Sequence, residues 1–155
     1  MKFILGLIVW GAMLIGSEDA LSLSEGELRG LAEQGYTENQ LKLGELLIRK
    51  CGVIDELSID SCLDGIMWLK LARQHSFPGT SSRMADTTLN QIGRASGILG
   101  DRLGLLQLVT DKLASKCLER FYYKCGFNFD KKLFPPNTVD NIKNILLRVR
   151  RNNSK

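Results

Sequence analysis

From Leu103 onward, apolar side chains recur at Leu106, Val109, Leu113, Cys117 and Phe121. Steps of three and four residues place all six on one face of an α-helix. No run of convincing length alternates apolar and polar residues as a half-buried strand must. The chain is therefore expected to be all-α. Its 155 residues, 44% hydrophobic and 25% charged, suit one domain with a real core and are too few for two comfortable ones.

Further helices follow from caps and breakers. Ser24 with Glu27 forms a capping box, predicting a helix from about Glu25 to Gln34 that buries Leu28, Leu31 and Ala32 and stops at Gly35. Thr37 is read as the cap of a second helix, whose Leu41, Gly44, Leu47 and Ile48 share a face and whose Leu43 and Leu46 broaden it. It should end near Cys51 and Gly52. After the loop "GVIDELSID", Asp60 or Ser61 restarts a helix carrying Leu63, Ile66, Met67, Trp68, Leu69, Leu71 and Ala72. "HSFPGTSS" breaks it. Helix resumes at Arg83 with Met84, Leu89 and Ile92. Of Gly93, Gly97, Gly100 and Gly104, the stretch near Gly97 to Gly100 is read as a break, with Asp101 starting the next helix; close helix approach is the competing reading. "YYKCGFNFD" ends that helix, "KKLFPPNT" is loop, and Asn137 or Thr138 caps a last helix with Val139, Ile142, Leu146 and Val149 on one stripe.

The first 22 residues have a different character. Lys2 precedes a nearly unbroken apolar run from Phe3 to Ile15, too short to span a bilayer but suited to the core of a secretory signal peptide. Cleavage is expected after Ser22, with Ser17 as the second option, leaving a single domain over residues 23–155 in the periplasm or outside the cell. Four cysteines fit such an oxidising compartment, and their spacing favours Cys51 with Cys62 and Cys117 with Cys125. The second pair is too distant in an unbroken helix, at ~12 Å for eight residues of rise, so either the helix ends near Arg120 and the chain turns back or these cysteines pair elsewhere. His75 is the only histidine and no CxxC occurs, which argues against a metal site. Without residues 1–22 the chain carries 20 basic and 15 acidic side chains, a net charge of +5, with Arg148, Arg150, Arg151 and Lys155 forming a basic C-terminal tail.

"LAEQGYTENQLKLGELL" resembles the first half of a Sel1-like repeat through Ala32, Gly35, Gln40, Leu43 and Gly44. Gly52, Val53, Asp60, Trp68, Lys70 and Ala72 occupy places comparable to the second half, over about residues 28–75. The loop from Gly52 to Asp60 is longer than the family pattern, and Asp64, Gly65 and Ile66 stand where alanines are expected. The resemblance implies α/α helical hairpins of a short TPR/Sel1-like solenoid, stapled by disulfides, with Gly35 turning the chain at positive φ and Gly44 leaving room for Trp68. Cys51 and Cys62 would then lie at the same end of one hairpin.

No catalytic constellation is legible. Carboxylate pairs such as Asp55 with Glu56 or Asp60 with Asp64 are the nearest approach, and charged residues in such settings are usually solvated. No cofactor is expected. The resemblance implies a protein-binding module working as an inhibitor, regulator or adaptor in the cell envelope. Its sharpest version is an immunity protein that neutralises a toxic effector. A small cell-wall-active enzyme and an envelope-surface attachment protein are the alternatives, the latter through the basic tail or through Phe121, Tyr122, Tyr123, Phe127 and Phe129, whose aromatic rings are otherwise expected in the core. Export disfavours nucleic acid as a partner.

Overall fold

Ser24 begins the fold as its chemistry dictates: its hydroxyl accepts from the Glu27 amide, and its own amide donates to the Glu27 carboxylate at 2.8 Å. The computed structural model describes residues 23–53, 59–74, 79, 83–90 and 102–153. The helices are α1 (Glu25–Glu33), α2 (Thr37–Val53), α3 (Ile59–Arg73), α4 (83–90), α5 (Arg102–Glu119), α6 (Phe127–Asp130) and α7 (Pro136–Asn153), with a 3₁₀ turn at Lys131–Leu133. Among the described residues there is no strand. The expected signal peptide over residues 1–22, "HSFPGTSS" apart from Gly79, and the glycines from Gly93 to Gly100 lie outside them. Among the described residues nothing lies within 4 Å of where a Cβ on Gly104 would sit, so it serves no close approach between the described helices.

α1 ends in a Schellman motif. Gly35 has φ +87°, its amide donates to the Ala32 carbonyl at 3.0 Å, and the Tyr36 amide reaches back to Leu31 at 3.4 Å. Gln40 is fully buried, and its side-chain amide donates to the same Ala32 carbonyl at 3.2 Å, fixing α2 against the end of α1. α2 starts directly at Thr37, so this residue lies inside the first turn rather than capping it.

α2 and α3 form an antiparallel hairpin. Gly44 faces Leu69 and Gly65, Gly65 faces Ile48, and Cys51 is bonded to Cys62 with Cα atoms 4.9 Å apart. Position falls in one helix as it rises in the other, as opposite directions require. A Cβ on Gly44 would lie 2.8 Å from the Leu69 side chain and 3.1 Å from the Gly65 carbonyl; one on Gly65 would lie 3.0 Å from the Ile48 amide nitrogen. The two glycines thus let the backbones approach where any side chain would hold them apart. The space above Gly44 is filled by Leu69, not Trp68, which corrects the expectation from the resemblance. Trp68 is fully buried in the main core with Ala32, Leu43, Leu47, Leu63 and Leu113, and its indole N–H has no acceptor among the described residues. Ala72 belongs with Leu41, Leu69 and Ala85 to a smaller core between the hairpin and α4.

α3 is the central element: every residue from Cys62 to Ala72 is buried. α5 packs on it through Leu106, Val109, Leu113 and Ala114, and α7 adds Ile142. α7 begins at Pro136, earlier than the predicted cap, because proline suits the first helical turn, where an amide has no intrahelical acceptor. Its backbone stays helical through Asn153, so most of the basic tail is a continuation of that helix.

Candidate interaction surfaces

α5 stops at Glu119 and the chain turns back sharply enough for Cys117 and Cys125 to bond, with Cα atoms 5.0 Å apart. The stop is a second Schellman motif: the Phe121 amide donates to Leu118 at 3.0 Å and the Tyr122 amide to Cys117 at 2.9 Å. Phe121 takes the left-handed position usually held by glycine, at φ +52°, and Tyr122 and Lys124 follow at +64° and +50°. Three bulky residues in that region mark a backbone over-determined by its surroundings. The reversal throws Phe121 off the buried face of α5, leaving it 87% exposed, with Tyr123 at 62% and Phe129 at 54%. The expectation of core packing is therefore wrong for these three. It holds for Phe127, which is buried and stacks on Phe134 at 6.1 Å between ring centroids.

The turn is docked rigidly. The Tyr122 ring closes over Gly35, coming within 3.3 Å of where a Cβ would be, which sets the two helix ends and the exposed Tyr36 side by side. Arg120 pairs with the buried Asp130 at 2.5 Å, holding the segment from Phe127 beside the turn. Asp64 of α3 accepts a hydrogen bond from the Phe127 amide at 2.7 Å. Gly126 sits at φ +128°, and a Cβ there would be 2.7 Å from Asp64 Oδ2. Burial pushes the Asp64 carboxyl up to about 6, against the lowering effects of that amide and of Arg29, whose Nη1 is 3.9 Å away. The Asp60 and Glu25 carboxylates push it in the same direction as burial. Lys50 pairs with Glu25 and holds that carboxyl below its usual range. On the other side of α3, buried Lys70 donates to Asp111 at 2.6 Å and to the Gln107 carbonyl at 3.2 Å, and desolvation lowers its pKa.

A second surface lies on α2. Glu38, Lys42, Glu45 and Arg49 follow the spacing of one helical face, the first, second and fourth exposed and Glu45 half-buried. Lys42 pairs with Glu38 at 2.6 Å.

The structure brings Ala32, Leu43, Gly44, Trp68 and Ala72 into or against the hairpin core, and forms both expected disulfides among Cys51, Cys62, Cys117 and Cys125. Asp64, expected in a solvated carboxylate pair with Asp60, is a buried acceptor instead. Asp55, Glu56 and His75 lie outside the described residues. Among the described residues no group of three histidine, cysteine or carboxylate side chains could hold a metal ion, and no helix is long and apolar enough to cross a membrane. Two disulfides correspond to an oxidising environment. Comparison with protein-family models, with curated proteins and with solved structures found no match.

Proposed function

We propose that this chain is an exported, non-catalytic protein-binding module of the cell envelope, acting as an inhibitor, regulator or adaptor and most specifically as an immunity protein against a toxic effector. The observation that carries the reading is the α2–α3 hairpin, closed by Cys51–Cys62 and drawn together at Gly44 and Gly65. It is the kind of unit from which α/α interaction solenoids are stacked. The likeness to Sel1-like repeats supports the same reading, including a buried Gln40 and a positive-φ Gly35 at motif positions. In such stacks the first helix of each pair lines the binding face. On this chain that helix is α2, and its outward stripe is Glu38, Lys42, Glu45 and Arg49.

Affinity capture from envelope extracts, supplemented with the products of adjoining genes, tests the proposal. One protein should be retained stoichiometrically by the native chain and lost with the Lys42→Glu/Arg49→Glu variant. The absence of any stable partner, or capture unaffected by that variant, would refute it.

A further inference from the structure

The Cys117–Cys125 turn presents Phe121 and Tyr123 to solvent, and the Arg120–Asp130 pair keeps Phe129 close by. These rings are fixed by a disulfide, by two Schellman hydrogen bonds and by the Tyr122 contact on Gly35, so none has been left outside merely by a slack backbone. The charge carried by the segment from Lys116 to Lys132 is one-sided. Of the carboxylates in this region, Glu119 is held by Lys116 and Asp130 by Arg120. Lys124, Lys131 and Lys132 have no carboxylate partner among the described residues, and the ammonium groups of Lys124 and Lys131 stand over the Tyr123 and Phe127 rings. The result is a protruding aromatic tip with surplus positive charge.

Two partners could cover such a tip, and the composition separates them. Lysine is depleted at protein interfaces, where arginine is preferred. A protruding phenylalanine with tyrosine and lysine around it is instead the pattern of interfacial membrane contact: rings enter the boundary of headgroups and acyl chains while lysines reach anionic phosphates. We propose that the turn seats on an anionic lipid surface. Phe121 enters the headgroup boundary, Tyr123 and Phe129 lie at headgroup level, and Lys124, Lys131 and Lys132 face lipid phosphates. This contact is separate from the protein-binding stripe on α2.

Sedimentation of the purified, oxidised protein with vesicles tests it. Binding to phosphatidylglycerol mixed with phosphatidylcholine should exceed binding to phosphatidylcholine alone by about tenfold or more and should fade at high salt. Phe121→Gly removes the ring while placing at that position the residue its backbone favours, so a folded protein with about tenfold weaker binding is expected. Phe121→Trp should bind as the native chain does, and the native chain should bind vesicles with no protein partner present, which separates this inference from the proposed protein contact. Phe121→Gly binding vesicles as well as the native protein would overturn the proposal. So would equal binding to both lipid compositions, loss only when Arg148, Arg150 and Arg151 are changed to glutamine, or no vesicle binding together with Phe121-dependent capture of a protein.

Discussion

Raising the pH through the range of Asp64 should weaken this protein, opposite to the usual effect of a carboxylate that gains a cationic partner. Asp64 is 7% exposed and sits with Arg29 at 3.9 Å, too far to offset its lost hydration. Its carboxyl rises from the ordinary 3.8 to about 6, so the folded state holds the proton more tightly than the unfolded chain. The contribution to stability is therefore fully present below pH 3.8 and is lost as the pH climbs through about 6. The gap between the two values amounts to about 3 kcal/mol, or roughly 10 °C in Tm for a domain of this size. Glu25 acts in the opposite sense, since the Lys50 hydrogen bond lowers its pKa and its contribution disappears as the pH falls below 4.5. Asp64→Asn isolates the effect: the amide oxygen still accepts from Phe127, but there is no charge to desolvate. Urea unfolding of both oxidised proteins from about pH 3 to about pH 7 should show the native chain losing about 3 kcal/mol relative to the variant. A difference independent of pH, or one that grows in favour of the native chain toward neutrality, would refute the burial argument.

Gly44→Ala should destabilise by about 1–3 kcal/mol in the same assay, because a methyl 2.8 Å from Leu69 and 3.1 Å from a backbone carbonyl forces the hairpin apart. That outcome outweighs the ~1 kcal/mol by which alanine favours a helix; a gain in stability would show that Leu69 moves freely aside. Phe121→Gly should stabilise by about 1 kcal/mol, by relieving a left-handed phenylalanine that buries almost nothing. A loss in its unfolding curve would place the ring in a structural role.

Local chemistry was legible where one or two residues decide the outcome. Ser24 and Glu27 announce a cap, Gly35 announces a turn, and the spacing of Cys51 and Cys62 favours their bond, because each depends on side chains close in sequence; the Cys117–Cys125 bond required a chain reversal that spacing alone left open. Phe121 was misread for a physical reason. Periodicity assigns it to the buried face of α5 only if the helix continues, and the helix stops two residues sooner, at Glu119, with the left-handed position taken by a residue that is not a helix breaker. The partner of Gly44 was misassigned by one position, since Trp68 and Leu69 point about 100° apart and the sequence does not reveal which side of α3 meets α2. Asp64 was the least legible. Its acceptor role depends on Phe127, 63 residues away, and the local hint is a carboxylate inside a run that is apolar apart from it and Lys70.

That run explains how the second half of the chain finds its place. A helix buried from Cys62 to Ala72 offers apolar surface all round, and hydrophobic contact alone specifies neither rotation nor register for what packs on it. Asp64 and Lys70 remove the ambiguity. Six residues separate them, about 9 Å along the axis and on different sides of the helix. One holds the backbone at Phe127, the other the α5 residues Gln107 and Asp111. Sliding α5 by a turn would leave a buried ammonium without its acceptors, and rotating the clipped turn would leave the Phe127 amide and a buried carboxyl facing nothing, each a larger loss than the apolar contact regained. The orientation of the exposed aromatic turn is thereby fixed by two polar residues inside the core, at the positions where the sequence departs most from what a wholly buried helix should contain.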